Sequence, residues 1–193
     1  MFYAKITPHA LGVFRICSFL AHNRKENQYM KTKKLTSSSL LIAIGVIAGN
    51  IIFIPVGVSK CFPVQATINV IAAVILGPGY GVAIAFCISL LRNILGTGSL
   101  LAFPGSMIGA LLAGILYKKT KMNLLAVVGE IIGTGILGGL LAFPIANLIM
   151  GKKVGALFFV APFLISTIGG SLIALVILKV IDFKKLTNLN KEA

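Results

Sequence analysis

Long runs of uncharged apolar residues, each closed by a short cluster of lysines, leave this chain few environments in which to fold. Hydrophobic residues make up 58% of its 193 positions and charged residues only 11%, against about 25% charged in a soluble domain. The mean hydropathy is +1.01. In hydrocarbon every backbone amide must find its partner within the protein, which favours helices. The chain therefore reads as an all-α integral membrane protein. Its formal charge of +14 would suggest nucleic acid in a soluble protein. Here the cations gather beside the apolar runs, as Lys31, Lys33 and Lys34, as Lys118, Lys119 and Lys121, and as Lys184 and Lys185. That is the positive-inside pattern, which reports orientation and contact with anionic lipid. Nucleic acid is excluded as a partner.

Crossing about 30 Å of hydrocarbon takes roughly 20 apolar residues, fewer where protein shields the helix. Residues 36–54, 101–117, 123–143 and 155–181 qualify as spans. The stretch 64–95 is either one long span or two short ones, because Gly77-Pro78-Gly79-Tyr80-Gly81 breaks it and such clusters interrupt helices. Charge decides between these readings. With two short spans, 64–77 and 82–95, ten lysines from Lys31 onward fall on one side. Lys60, Arg92, Lys152 and Lys153 fall on the other. With one long span the asymmetry disappears. The expectation is a bundle of six transmembrane helices with both termini cytoplasmic, in a bacterial cytoplasmic membrane.

Residues 1–29 are expected to lie outside this membrane domain of 30–193, disordered or untranslated. Ala10 to Ala21 is apolar, but Arg15 interrupts it, while Met30 opens a typical membrane-protein start, MKTKKLTSSSLLIAIGV. An interfacial amphipathic helix is the rival reading.

Polar chemistry concentrates between Ile54 and Gly105, where Lys60, Gln65, Asn69, Arg92 and Asn93 interrupt otherwise apolar sequence. An Arg or Lys at a helix centre costs roughly 2.5–3.5 kcal/mol on insertion scales, so this district is the candidate ligand site. Gln65 and Asn69, four residues apart, share a helix face. Lys60 lies in a loop bounded by Pro55 and Pro63, suited to act as a lid. Arg92 and Glu130 are the ionisable residues expected inside the membrane. They form either a buried ion pair joining spans three and five, or contacts to substrate. A short echo, GTG followed by LLAFP, occurs at 96–104 and again at 133–144, and places Phe103 and Phe143 near the outer face as apolar contacts.

Enzyme chemistry is missing. Gly151-Lys152-Lys153 lacks the rest of a Walker sequence. Four acidic residues give no paired carboxylates, and both histidines lie in the doubtful leader, so no catalytic or metal site, and no cofactor, is expected. Cys17, Cys61 and Cys87 fit neither a metal spacing nor a disulfide framework. Glycines within the spans, such as Gly105, Gly109, Gly129 and Gly133, form faces that let helices approach closely. Small residues on the first span, Ser39, Ala43, Gly45 and Gly49 among them, serve bundle packing or the docking of a partner subunit.

PVGVSKCFPVQATINV, LGPGYG and SLLRNILGTGSLLAFPGSMIGALLAG together resemble the ThiW family of substrate-binding subunits of energy-coupling-factor vitamin transporters. The resemblance covers roughly Met30 to Leu186. It implies a six-helix subunit that captures a thiamine precursor, hydroxyethylthiazole, at the outer face. It also implies a transmembrane coupling subunit and two cytoplasmic ATPases as partners. Related subunits dock through small residues spaced four apart on the first helix, which here gives Ser39, Ala43 and Ile47, with Gly45 and Gly49 as a second row. The first outer loop closing over the ligand would make Lys60 part of a lid.

The expected site combines Gln65, Asn69 and Asn93 as hydrogen-bonding groups, Phe103 and Phe143 as apolar walls, and Arg92 facing a hydroxyl or phosphate. Glu130 completes the set. The alternative is a stand-alone secondary transporter of a small solute, coupled to protons through Glu130.

Overall fold

The computed structural model describes residues 8–56, 59–149, 151, 155 and 157–180, with the side chains of 8–28 and 54–61 outside the description. Six helices are present among these residues: α1 (Pro8–Ile51), α2 (Pro63–Ile75), α3 (Pro78–Ile94), α4 (Ala102–Thr120), α5 (Asn123–Leu148) and α6 (Val160–Val180). Between α1 and α2 a two-stranded antiparallel hairpin pairs β1 (Ile54–Val56) with β2 (Ser59–Cys61), bringing Pro55 opposite Lys60. The all-α reading therefore needs one amendment, since the Pro-bounded loop holds this short ladder.

The chain forms two compact units, Met1–Ser37 and Ser38–Ala193. In the first, backbone from Pro8 onward is helical. Lys33 Nζ lies 4.1 Å from the Tyr29 ring centre, and Thr36 Oγ1 donates to the Thr32 carbonyl four residues back at 3.0 Å. The second unit is the helix bundle.

Three helices are long and apolar enough to cross a membrane: Tyr29–Ile51 of α1, Asn123–Leu148 and Val160–Val180. Pro63–Ile75 and Pro78–Ile94 are shorter apolar helices. The break between them falls at Gly77, whose φ of +90 is open to glycine and strained for other residues, followed by Pro78 in the first turn of α3. Just beyond the end of α3, Gly96 again has positive φ, while the Arg92 carbonyl receives the amides of Thr97 and Gly98. Helix α2 has 13 residues, and eleven of them are buried. A helix buried all round is enclosed by protein rather than lipid, which explains how so short a segment sits within the bundle.

The apolar core has three parts. Val70, Ile71, Ala73 and Val74 of α2 pack with Ala113, Ala126, Val127, Ala174 and Leu178. Ile68, Ala72 and Leu76, also from α2 and its C-cap, pack with Val46 of α1 and with Ile84 and Ile88 of α3. Leu101, Ala142, Ala146 and Phe159 close one end. The exterior is apolar as well: Ile44, Ile94, Leu111, Ile132 and Leu172 are all exposed, as suits a surface bathed in lipid.

Helices α4 and α5 meet along a seam of small residues. A Cβ on Gly129 would stand 2.8 Å from the backbone of Ala113, one on Gly133 2.5 Å from Gly109 Cα, and one on Gly138 2.5 Å from Gly105 Cα. On α4 these contacts are spaced four apart. On α5 the last step is five, and it falls in Ile131–Gly138, where the helix winds as a π-helix with i to i+5 bonds. Helix α5 continues through Pro144 to Leu148, five residues beyond the expected end of span five. The last helix begins at Val160, five residues later than expected.

Candidate functional site

A cavity of about 50 Å³, counted as space for the centres of water-sized spheres, lies between α2, α4, α5 and α6. One water needs roughly 10–15 Å³ on that measure, so the space suits several waters or a small organic molecule. Its polar wall is made by Gln65 and Asn69 of α2, Ser106 of α4, Thr134 of α5, and Ser166 and Thr167 of α6. Phe62, Ala66, Ala102 and Phe163 supply the apolar wall.

The helices place these groups for simple reasons. Gln65 and Asn69 lie one helical turn apart on α2, and both face the cavity. Phe163, Ser166 and Thr167 have the i, i+3, i+4 spacing of a single face. Phe62 precedes Pro63, the first residue of α2, and its amide donates to Ser166 Oγ at 3.0 Å, fixing the start of α2 against α6. Thr167 Oγ1 lies 2.9 Å from the Phe163 carbonyl, within its own helix.

Behind the wall runs a continuous hydrogen-bond network. Arg92 Nη1 donates to Gln65 Oε1 at 2.9 Å, and Gln65 Nε2 donates to Ser89 Oγ at 2.8 Å. Ser89 and Ser106 hydroxyls are 3.2 Å apart, and Ser106 Oγ donates to the Phe103 carbonyl at 3.4 Å. Asn69 Nδ2 donates both to the Ser106 carbonyl, at 3.3 Å, and to Glu130 Oε1, at 2.9 Å. Thr134 Oγ1 reaches Glu130 Oε1 at 2.8 Å and the Gly105 carbonyl at 3.0 Å. All members of this chain are buried or nearly so. Arg92 and Asn69 are each 1% exposed, Glu130 0% and Gln65 6%. A buried network of this kind fixes its side chains when its partners are satisfied.

Two orientations follow from the partners alone. Arg92 can only donate, so it must meet the oxygen of the Gln65 amide. The Ser106 carbonyl can only accept, so it must meet the nitrogen of the Asn69 amide. The Asn69 oxygen is thereby turned away from both partners, and it has no hydrogen-bond partner within the protein. Glu130 Oε2 and Arg92 Nε are in the same position.

The expected site is only partly assembled at this cavity. Gln65 and Asn69 line it. Arg92 stands one layer behind, its guanidinium carbon 3.8 Å from the centre of the Phe62 ring and against Gly49 of α1. Arg92 and Glu130 do not form the ion pair considered from sequence, because each is bound through amides and hydroxyls instead. Glu130 reaches the wall through Asn69 and Thr134. Asn93 points to the Ser89 and Ser99 carbonyls, at 2.8 and 3.3 Å, and supports the end of α3. Phe103 meets Phe86 edge-on with ring centres 5.7 Å apart, and neither Phe103 nor Phe143 lines the cavity. The Lys60 side chain lies outside the described residues.

Sequence reading missed Phe62, Ser106, Thr134, Phe163, Ser166 and Thr167. The spacing of the last-helix trio was a usable signal, as was each hydroxyl standing alone in a Gly-rich stretch. Of the first-helix residues, Gly45 and Gly49 are buried against Ile88 and Arg92, while Ser39, Ala43 and Ile47 are exposed.

An apolar exterior around a buried polar network and a small cavity defines a multi-pass membrane protein. Residues 35–184 match the family described as thiamine-precursor transporter protein (ThiW). The chain belongs to that family, and is a membrane transporter protein rather than an enzyme. No curated protein and no solved structure matches the chain significantly.

Proposed function

We propose that this chain is the substrate-capture subunit of an energy-coupling-factor importer, with six spans and both termini cytoplasmic, and that it binds hydroxyethylthiazole. The observation that carries the reading is the cavity itself: a small space walled by two phenyl rings and by the side chains of Gln65, Asn69, Ser106, Thr134, Ser166 and Thr167. A small ring compound with a single polar arm fits a mostly apolar pocket bearing a few fixed polar groups. Gln65 and Asn69 hold the polar arm, Phe62 and Phe163 flank the ring, and Arg92 holds Gln65 and Phe62 in place.

The chain carries no nucleotide-binding sequence, so uphill uptake needs energy from partners, here a coupling subunit and two ATPases. The exposed row Ser39, Ala43 and Ile47 on α1 is the docking face. Gly45 and Gly49 serve the bundle. The Pro55–Pro63 hairpin, with Lys60, is the lid over the outward-facing site.

Glu130 supports a second reading, a proton-coupled secondary transporter, because it is wholly buried and, among the described residues, meets no cation. Calorimetric titration of the purified protein with hydroxyethylthiazole and with thiamine tests the ligand. Uptake in cells with and without the ATPases tests the energy source. Saturable thiazole binding with ATPase-dependent uptake is expected. Uptake that persists without ATPases and follows a proton gradient overturns the coupling reading.

A further inference from the structure

The first span touches the bundle without reaching the cavity. It is the least enclosed of the three long apolar helices, with 17% of its most apolar stretch buried, against 44% in α5 and 33% in α6. Among the described residues, α1 contributes nothing to the cavity wall. Its inner face carries Gly45, Val46 and Gly49, all buried. At Gly45 the backbone lies so close to α3 that a Cβ would stand 2.5 Å from Ile88 Cδ1. One turn later, at Gly49, the neighbour is a cation. A Cβ there would stand 3.5 Å from Arg92 Cζ, 3.5 Å from Nε and 3.6 Å from Nη1. Three such nearly equal distances place Gly49 over the flat face of the guanidinium. Arg92 Nε has no hydrogen-bond partner among the described residues, so packing against α1 holds the guanidinium on this side.

Arg92 passes that contact on. Its Nη1 donates to Gln65 Oε1 at 2.9 Å, its guanidinium carbon lies 3.8 Å from the centre of the Phe62 ring, and Nη2 reaches the Thr97 carbonyl at 3.5 Å. Gln65 and Phe62 both line the cavity. Resting on the function proposed above, we infer that Gly49 is a positioning residue for the ligand site. It seats Arg92, and through Arg92 the lie of α1 on α3 sets where Gln65 and Phe62 stand, and hence how tightly the ligand binds. A methyl group at position 49 would meet the guanidinium at ordinary contact distance. Any atom beyond that must push the guanidinium aside or lift α1 away, because Gly49 is buried. Displacing the guanidinium removes the bond to Gln65 and the contact with the Phe62 ring together.

The test is a double-mutant cycle in detergent-purified protein shown to be folded by its melting profile. Gly49→Leu should weaken hydroxyethylthiazole binding about fivefold in the native background and less than about twofold in Arg92→Ala, because residues in contact act non-additively. Gly169→Leu, at a glycine of α6 with nothing within 4 Å of an added Cβ, should bind as the native protein does. Equal weakening in both backgrounds, or none in either, overturns the link through Arg92. Should Gly49→Leu fail to fold, Gly49→Val carries the same comparison with a smaller side chain. A second reading needs no ligand. The chain has no tryptophan, so Phe62→Trp gives a single fluorescent reporter at the cavity wall. Gly49→Leu should shift its emission when Arg92 is present and leave it unchanged in Arg92→Ala. The same shift in both backgrounds, or none in either, overturns the proposal. If hydroxyethylthiazole does not bind the native protein, the ligand proposed above fails, and the emission reading alone decides the role of Gly49.

Discussion

Asn69 Nδ2 lies 2.9 Å from Glu130 Oε1, so the carboxyl group of α5 is held by an amide from the most deeply buried helix of the bundle. The same amide grips the Ser106 carbonyl of α4. Three helices are thereby joined at one side chain, directly beside the cavity.

Glu130→Ala should destabilise the bundle more than Glu130→Gln. Alanine leaves the Asn69 N–H unpaired, a loss of about 1–3 kcal/mol for a buried donor. Glutamine keeps the accepting oxygen. Thermal unfolding in detergent should place the glutamine variant near the native protein and the alanine variant well below it. A reversed order contradicts the structural role of this carboxyl group.

Gly109→Ala should be poorly tolerated, because the added Cβ would overlap Thr134 Oγ1 and come 2.6 Å from Glu130 Oε2. Overpacking of this kind costs about 1–3 kcal/mol. Gly169→Ala, with nothing within 4 Å of the new Cβ, is the matched control and should melt like the native protein. Equal melting temperatures for the two variants would mean that the α4–α5 seam is looser than described.

Arg92→Ala should weaken thiazole binding by about tenfold, or ~1.4 kcal/mol, by releasing Gln65 and Phe62. Arg92→Lys should recover only part of the loss, since an ammonium lacks the planar fork and the stacking of a guanidinium. Asn93→Ala should bind ligand normally, because that side chain supports the end of α3 and is absent from the cavity wall. Titration of the three variants decides whether Arg92 acts by positioning its neighbours.

Ala43→Trp should abolish ATPase-driven uptake without changing ligand affinity, if the exposed row on α1 is the docking face. Gly45→Ala tests the other row, and should lower the melting temperature, because its Cβ would come 2.5 Å from Cδ1 of the fully buried Ile88. Uptake that survives Ala43→Trp moves the docking face elsewhere.

Much of the helix pattern was legible because apolar runs, glycine-proline breaks and lysine clusters act locally. The break at Gly77-Pro78 and the shared face of Gln65 and Asn69 follow from backbone geometry and helical spacing alone. The aromatic wall did not. Phe103 and Phe143 stood out as parts of a repeated string, yet the rings at the cavity are Phe62 and Phe163. In helices apolar on every side, hydropathy carries little phase, so nothing local says which ring turns inward. Arg92 was misplaced for a related reason. A buried cation announces importance, but its layer depends on a glycine of α1 and a phenyl ring before α2, far away along the chain.

The π-wound stretch of α5 sets the angular phase of everything after it. Deleting the outward-facing Leu137 would let the backbone return to ordinary winding, with a step of four from Gly133 to the glycine that meets Gly105, leaving Ala142 and Ala146 packed against Leu101 and Phe159. A deletion just beyond it, between Gly139 and Leu141 where the winding is ordinary, should instead act like turning one half of a shaft against the other, misaligning a distant joint while every side chain at the cavity stays chemically unchanged.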